Sequence, residues 1–124
     1  MATPEQFAAQ LLAAAAEAPV VAKAVVGKGS LSIKNTARDN VLRSAPVHSG
    51  GAERAINYDV EVAGSLITGE IGYDRRNRAG RIGNLLEYGG GGDHSPPHRD
   101  LGRALDDEDP KFRAAMVTAI AKLL

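Results

Sequence analysis

The hydrophobic period of this sequence changes abruptly at Ile56, and that change decides the class of fold. Ile56, Tyr58, Val60 and Val62 are interleaved with Asn57, Asp59 and Glu61, and Ile67, Gly69, Ile71 and Tyr73 with Thr68, Glu70 and Gly72. A period of two sends one set of side chains to a buried face and the other to water. Ala63-Gly64-Ser65 supplies a turn between the runs, so they predict an antiparallel hairpin. Before and after it, apolar residues recur every three or four positions, the spacing of helices.

Thr3-Pro4-Glu5-Gln6 reads as a helix start: threonine caps, proline takes the first helical position, and glutamine follows three residues after the cap. Phe7, Leu11, Leu12 and Ala15 then share a face. Pro19 predicts the end of this first short helix, since an interior proline costs about 3 kcal/mol and disfavours helical geometry in the residue before it. A second helical pattern runs from Val20 to Ala45 through Val26, Ser30, Ile33, Ala37 and Val41. Within it Gly27 and Gly29 mark a bend or the close approach of another backbone, and Ala45-Pro46 stops it. Val47-His48-Ser49-Gly50-Gly51 is a turn-rich link to the hairpin.

Beyond the hairpin, Asp74 to Gly80 reads as a polar loop carrying Arg75, Arg76 and Arg78. Ile82, Leu85 and Leu86 suit a short helix, and Leu85-Leu86-Glu87-Tyr88 suits an edge strand equally well. Gly89 to Gly92 make a hinge, stiffened at its far end by Pro96 and Pro97. Leu101, Ala104 and Leu105 predict one or two helical turns. Asp109-Pro110 is expected to cap a final helix with Phe112, Ala115, Met116, Ala119, Ile120 and Leu123 as its stripe. This order predicts an α+β fold: N-terminal helices, a small antiparallel sheet built on a β-hairpin, and a C-terminal helix packed on one face. With 124 residues, 44% of them apolar, the expectation is one domain over residues 1–124.

Fifteen basic and fifteen acidic residues cancel, so the molecule as a whole has no bias toward a polyanion or an anionic membrane. The absence of cysteine excludes a disulfide framework, thiolate metal sites and a cysteine nucleophile. No apolar run is read as reaching the roughly 18 residues of a membrane span, and no basic region precedes the first charge, Glu5, so a soluble cytoplasmic product is expected.

Candidate chemistry is sparse. His94 and His98, with Asp93 and Asp100, have two prolines between them and read better as a polar loop than as a metal site. Asp106, Asp107, Glu108 and Asp109 read as the acidic lead-in to the last helix. Ser44, His48 and Ser49 lack the strand-to-helix elbow of a hydrolase nucleophile. Gly89 to Gly92 lack the lysine and following helix of a phosphate-binding loop. No catalytic residue, cofactor site or metal site is expected. The sharpest charged feature is Arg75, Arg76, Arg78 and Arg81, a solvated hairpin end in a monomer and a candidate DNA-facing lumen loop in a ring.

Taken in order, these segments resemble the tail-completion, or head-to-tail joining, family of small neck proteins of long-tailed (siphovirus-type) bacteriophages. The resemblance covers residues 31 to 105. It rests on the helix ending in Asn40-Val41-Leu42-Arg43-Ser44-Ala45-Pro46-Val47-His48-Ser49-Gly50, the strand Gly69-Glu70-Ile71-Gly72-Tyr73-Asp74, the run Leu85-Leu86-Glu87-Tyr88-Gly89, and the entry Ser95-Pro96-Pro97-His98-Arg99-Asp100-Leu101. The chain departs from the family pattern at Gly51-Ala52-Glu53-Arg54, where a leucine-arginine pair is usual, and in its longer four-glycine loop.

The resemblance implies a structural virion protein of the head-tail connector, assembled in the host cytoplasm. It would form a ring with itself, six-fold as the family implies, and join the tail to the DNA-filled head, binding other neck and tail proteins, with non-specific contact to packaged DNA and none to a membrane. A tail terminator or minor tail protein of the same virion is the alternative, and a small DNA-binding module a more remote one. Glu87, Tyr88, Pro96 and Pro97 are the candidate subunit or partner contacts; locally, Tyr88 is expected to pack and Glu87 to pair with an arginine.

Overall fold

The computed structural model describes residues 3–45, 51–89 and 96–124. Its elements are a long helix α1 (Pro4–Ser44), a 3-10 turn (Ala52–Ala55), strands β1 (Ile56–Ala63) and β2 (Leu66–Tyr73), a short helix α2 (Arg78–Tyr88) and a helix α3 (Asp100–Ala121). The fold is α+β, with helices flanking one antiparallel hairpin.

The expected break at Pro19 does not occur. Thr3 caps α1 through a full capping box: its hydroxyl accepts from the Gln6 amide, and the Gln6 side chain accepts from the Thr3 amide. From there the helix continues through Pro19. The alanines Ala13 to Ala16 are the best helix formers available. The carbonyl at Ala15 that loses its partner lies on an exposed residue, where water can replace the bond. The two expected N-terminal helices are therefore one rod, about 60 Å long. The helix is continuous through Gly27 and Gly29, and the close neighbour at Gly29 is the Phe112 ring of α3, a side chain, not another backbone. Ala45 ends the helix as expected.

A second expected boundary also fails. Asp109-Pro110 does not start the last helix, because α3 begins at Asp100 and runs through Pro110, with the freed carbonyl on exposed Asp106. The acidic run is thus mid-helix, not a dipole lead-in. It divides its roles: Glu108 accepts a hydrogen bond from the Ser32 hydroxyl at 3.0 Å, Asp109 pairs with Arg113, and Asp106 and Asp107 point to solvent.

The hairpin forms as expected, with Ile56 opposite Tyr73, Tyr58 opposite Ile71, Val60 opposite Gly69 and Val62 opposite Ile67. Of the apolar face of β1 only Ile56 is buried, and Tyr58 and Val62 stay exposed, since the core lies at the Ile56 end of the hairpin. Its two-residue turn places Gly64 at φ 61, and Ser65 keeps a negative φ, the type II′ arrangement that matches strand twist. Among the described residues the sheet has two strands, so each has one unpaired edge. Residues 82–88, open between helix and strand in the sequence, are helical. Asn77 caps α2, its side chain accepting from the Gly80 amide at 2.8 Å.

Helix α3 runs antiparallel to α1, with Asn40 reaching Asp100, Ser32 reaching Glu108 and Gly29 lying against Phe112. The hairpin packs on the same stretch of α1. The core is Ile33, Ala37 and Val41 of α1 with Ala52, Ile56 and Ala104, joined by Ile71, Tyr73, Leu86 and Leu101. It surrounds the C-terminal half of α1; in the N-terminal half Ala14 is buried. The residues of α1 from Pro4 to Ala13 are all exposed, among them Phe7, Leu11 and Leu12. The accessible surface is 8426 Å², about 2,000 Å² more than a compact monomer of 12.9 kDa presents.

Candidate functional site

Three stretches that carry the sequence resemblance, the end of α1, the end of α2 and the start of α3, converge at one polar node. Helix α3 has no side-chain cap of its own: its N-cap residue is Arg99, in the left-handed conformation. The cap comes from another helix. Glu87, 4% exposed on the last turn of α2, accepts the Leu101 amide at 2.6 Å and approaches the Gly102 amide at 3.4 Å. A carboxylate at a helix N-terminus satisfies orphan donors and meets the positive end of the dipole.

Asp100, fully buried, is held from several sides. Ser44 donates to its carboxylate at 2.9 Å, Asn40 donates to its backbone carbonyl at 3.0 Å, and Arg103 closes an ion pair. His98 places Nδ1 at 3.1 Å from the Ser44 hydroxyl and 4.0 Å from Asp100. The backbone ties the same place together, with the His98 amide bonded to the Leu86 carbonyl and the Arg99 amide to that of Glu87.

Ser44, His98 and Asp100 are the residue types of a hydrolase triad, brought together across 54 residues of sequence. Their order is wrong for nucleophilic catalysis. A triad needs the imidazole between serine and aspartate, one nitrogen to each. Here serine donates directly to aspartate, and the same histidine nitrogen faces both. The arrangement locks helix ends. Among the described residues no group of three or more histidine, cysteine, aspartate or glutamate side chains is placed to hold a metal; His94 and Asp93 lie outside them.

Next to the node, the Tyr73 hydroxyl is buried without a hydrogen-bond partner among the described residues. Burial, and then the negative charges of Asp100, Glu87 and Glu53, push its pKa well above the ordinary value for a phenol.

The candidate contact residues separate. Glu87 does not pair with an arginine, because the amides at the start of α3 are closer partners in a site closed to water. Tyr88 does not pack, since it sits on the outer side of α2 and is 71% exposed. Pro96 and Pro97 are exposed just before the node. The arginines do not form one loop: Arg75 and Arg76 lie in the turn before α2, whereas Arg78 and Arg81 are on its first turns. Arg76 is committed to Asp74 by a bidentate pair at 2.9 and 3.0 Å, and these hydrogen bonds hold the Asp74 carboxyl below its ordinary pKa. Arg75, Arg78 and Arg81 are exposed and, among the described residues, make no ion pair within 4.0 Å. With Leu85 and Tyr88, the positions of Arg78 and Arg81 form a single outward stripe at spacings of three and four.

The opposite side of α2 is close to the hairpin because it is glycine. A Cβ on Gly80 would overlap the Asp74 carbonyl, and one on Gly83 would overlap the Tyr73 ring. Sequence reasoning missed the node because its parts were assigned to separate elements; buried acids beside helix ends were the available signal.

By length and composition, α1 contains an 18-residue window apolar enough to cross a membrane, which the expected break at Pro19 had concealed. No family model, curated protein or solved structure matches the chain.

Proposed function

We propose that the protein is a structural subunit of a phage head-tail connector, which assembles with copies of itself and with neck or tail proteins and turns over no substrate. The observation that carries the proposal is the unpartnered surface: an apolar helical arm, two open strand edges and about 2,000 Å² of excess accessible area. A folded chain with an uncovered apolar arm is suited to association. The convergence of the motif segments at one node supports the resemblance, since residues far apart in sequence then serve one structural purpose.

Light scattering of the purified protein across concentration, with and without candidate tail proteins, tests the reading. A closed ring, or assembly triggered by a tail protein, is the expected result. A monomer indifferent to every virion protein would overturn it.

A second reading, contact with packaged DNA, is favoured by Arg75, Arg78 and Arg81, whose charges are uncommitted on one side of the molecule. In a ring that side would repeat about the axis and its field would add.

A further inference from the structure

We infer that the N-terminal arm of α1 from one copy docks into the groove that α1, β2 and α3 form on the next copy, making the assembly head to tail. This rests on the connector reading and names the two surfaces that meet. The groove has a volume of about 300 Å³ and a mainly apolar lining. Val26 and Ile33 form its buried floor, and the partly buried Ile67, Ile71 and Phe112 with exposed Leu105 form its walls, where the hairpin and α3 flank α1. The lining also includes Glu108 and Asp109, which are engaged with Ser32 and Arg113.

The arm has the matching chemistry. In the antiparallel pairing, Ser32 meets Glu108 and Gly29 meets Phe112, so Ala121 at the end of α3 comes abreast of α1 near Pro19. Most of the chain before that point has no helix beside it. Residues 6–16 carry no charge, in a protein that is 24% charged, and present Phe7, Leu11 and Leu12 to solvent. Such a segment can be buried without stripping water from an ion.

The arm cannot fill its own groove. Leu12 and Val26 are on one continuous helix, about 20 Å apart along its axis. A second copy is the occupant that brings arm and groove together. An arm-to-groove contact uses a different surface on each partner, the arrangement that closes into rings. The area agrees: two such contacts per subunit, at the usual size, cover about 1,600 Å² of each copy, close to the excess each copy exposes.

The absence of cysteine provides a clean background for the test. Leu12→Cys and Leu105→Cys change exposed residues, one on the arm and one on the groove. The two variants of the full chain, mixed at assembling concentration and oxidised, should form a disulfide between copies that neither forms alone. Leu12→Asp should weaken assembly about tenfold or more. A Leu12→Cys disulfide with itself would overturn the inference in favour of paired arms. So would a ring that forms without the mixed disulfide and is unaffected by Leu12→Asp, although the connector reading would then stand. Binding of the arm to phosphatidylcholine vesicles with no assembly under any condition would overturn both.

Discussion

The Glu87 carboxylate, at the end of α2, accepts the backbone N–H of Leu101, at the start of α3, at 2.6 Å. One helix thus supplies the cap that the next lacks, and the two are fixed end to end across a stretch of 14 residues.

Glu87→Ala should therefore destabilise the fold by about 1–3 kcal/mol, because the first amides of α3 lose their acceptor in a buried place. Glu87→Gln, which keeps an acceptor oxygen and loses the charge, should fall between it and the parent. Urea melts followed by circular dichroism give both values; equal stability of all three proteins would show that the cap is dispensable.

Tyr73→Phe should stabilise the protein at neutral pH by about 1 kcal/mol, since the change removes a buried hydroxyl that has no partner among the described residues and preserves the ring against Gly83. The same residue sets an alkaline limit. Its folded pKa lies above the ordinary 10.0, so its contribution to stability is complete below pH 10.0 and is lost as the pH rises beyond it. Alkaline unfolding should move to higher pH in Tyr73→Phe, whereas an unchanged midpoint would mean that ionisation of this phenol is not linked to unfolding.

Gly80→Ala and Gly83→Ala should both lower the melting temperature, despite the better helix propensity of alanine. Gly80→Ala should cost more, about 3 kcal/mol, because the Asp74 carbonyl it meets is backbone held between a strand and a turn, while the Tyr73 ring facing Gly83 can shift. The reverse order would show that β2 and α2 adjust more readily than the side chain between them.

Pro19→Ala should restore a hydrogen bond inside a continuous helix and reduce opening of the arm by up to about 3 kcal/mol. Amide exchange read residue by residue over positions 4–18 is the direct measure. No added protection there would mean that the helix is interrupted at Pro19 in solution, as the sequence had suggested.

Replacing Arg75, Arg78 and Arg81 by Gln should leave monomer stability within about 0.5 kcal/mol. If the basic side of α2 contacts DNA phosphates in the ring, each replacement should reduce the slope of log affinity against log salt by about 1. An unchanged slope would reassign the stripe to contact with protein.

The hairpin was legible as a pair of strands because a period of two puts Ile56 and Ile71 on one face, whereas its register is set by the two-residue turn at Gly64 and Ser65. The helix ends were less legible, and for one reason. Pro19 and Pro110 are both strong local signals to stop, and at both the surrounding helix continues, with the residue that loses its bond, Ala15 or Asp106, exposed to solvent. Local rules count the lost bond and cannot see that solvent replaces it. Glu87 shows the opposite difficulty. Its residue type suggested an ion pair, but its partner is a backbone amide, and backbone amides have no signature in sequence. Tyr88 could not be assigned before α2 was known to be helical, because its side depends on whether the period there is two or nearly four.

Helix α1 finds its long partner in α3, so the first element of the chain is completed by the last. While the protein is being made, the stripe through Val26, Ile33 and Val41 has no α3 to cover it until residues beyond Asp100 have left the ribosome. The hairpin can form early, from neighbours in sequence, but the core must wait for α3. Until α3 has emerged, the nascent chain is therefore a hairpin joined to a sticky rod. Copies emerging from adjacent ribosomes on one message would meet in that state, before each has closed its own core.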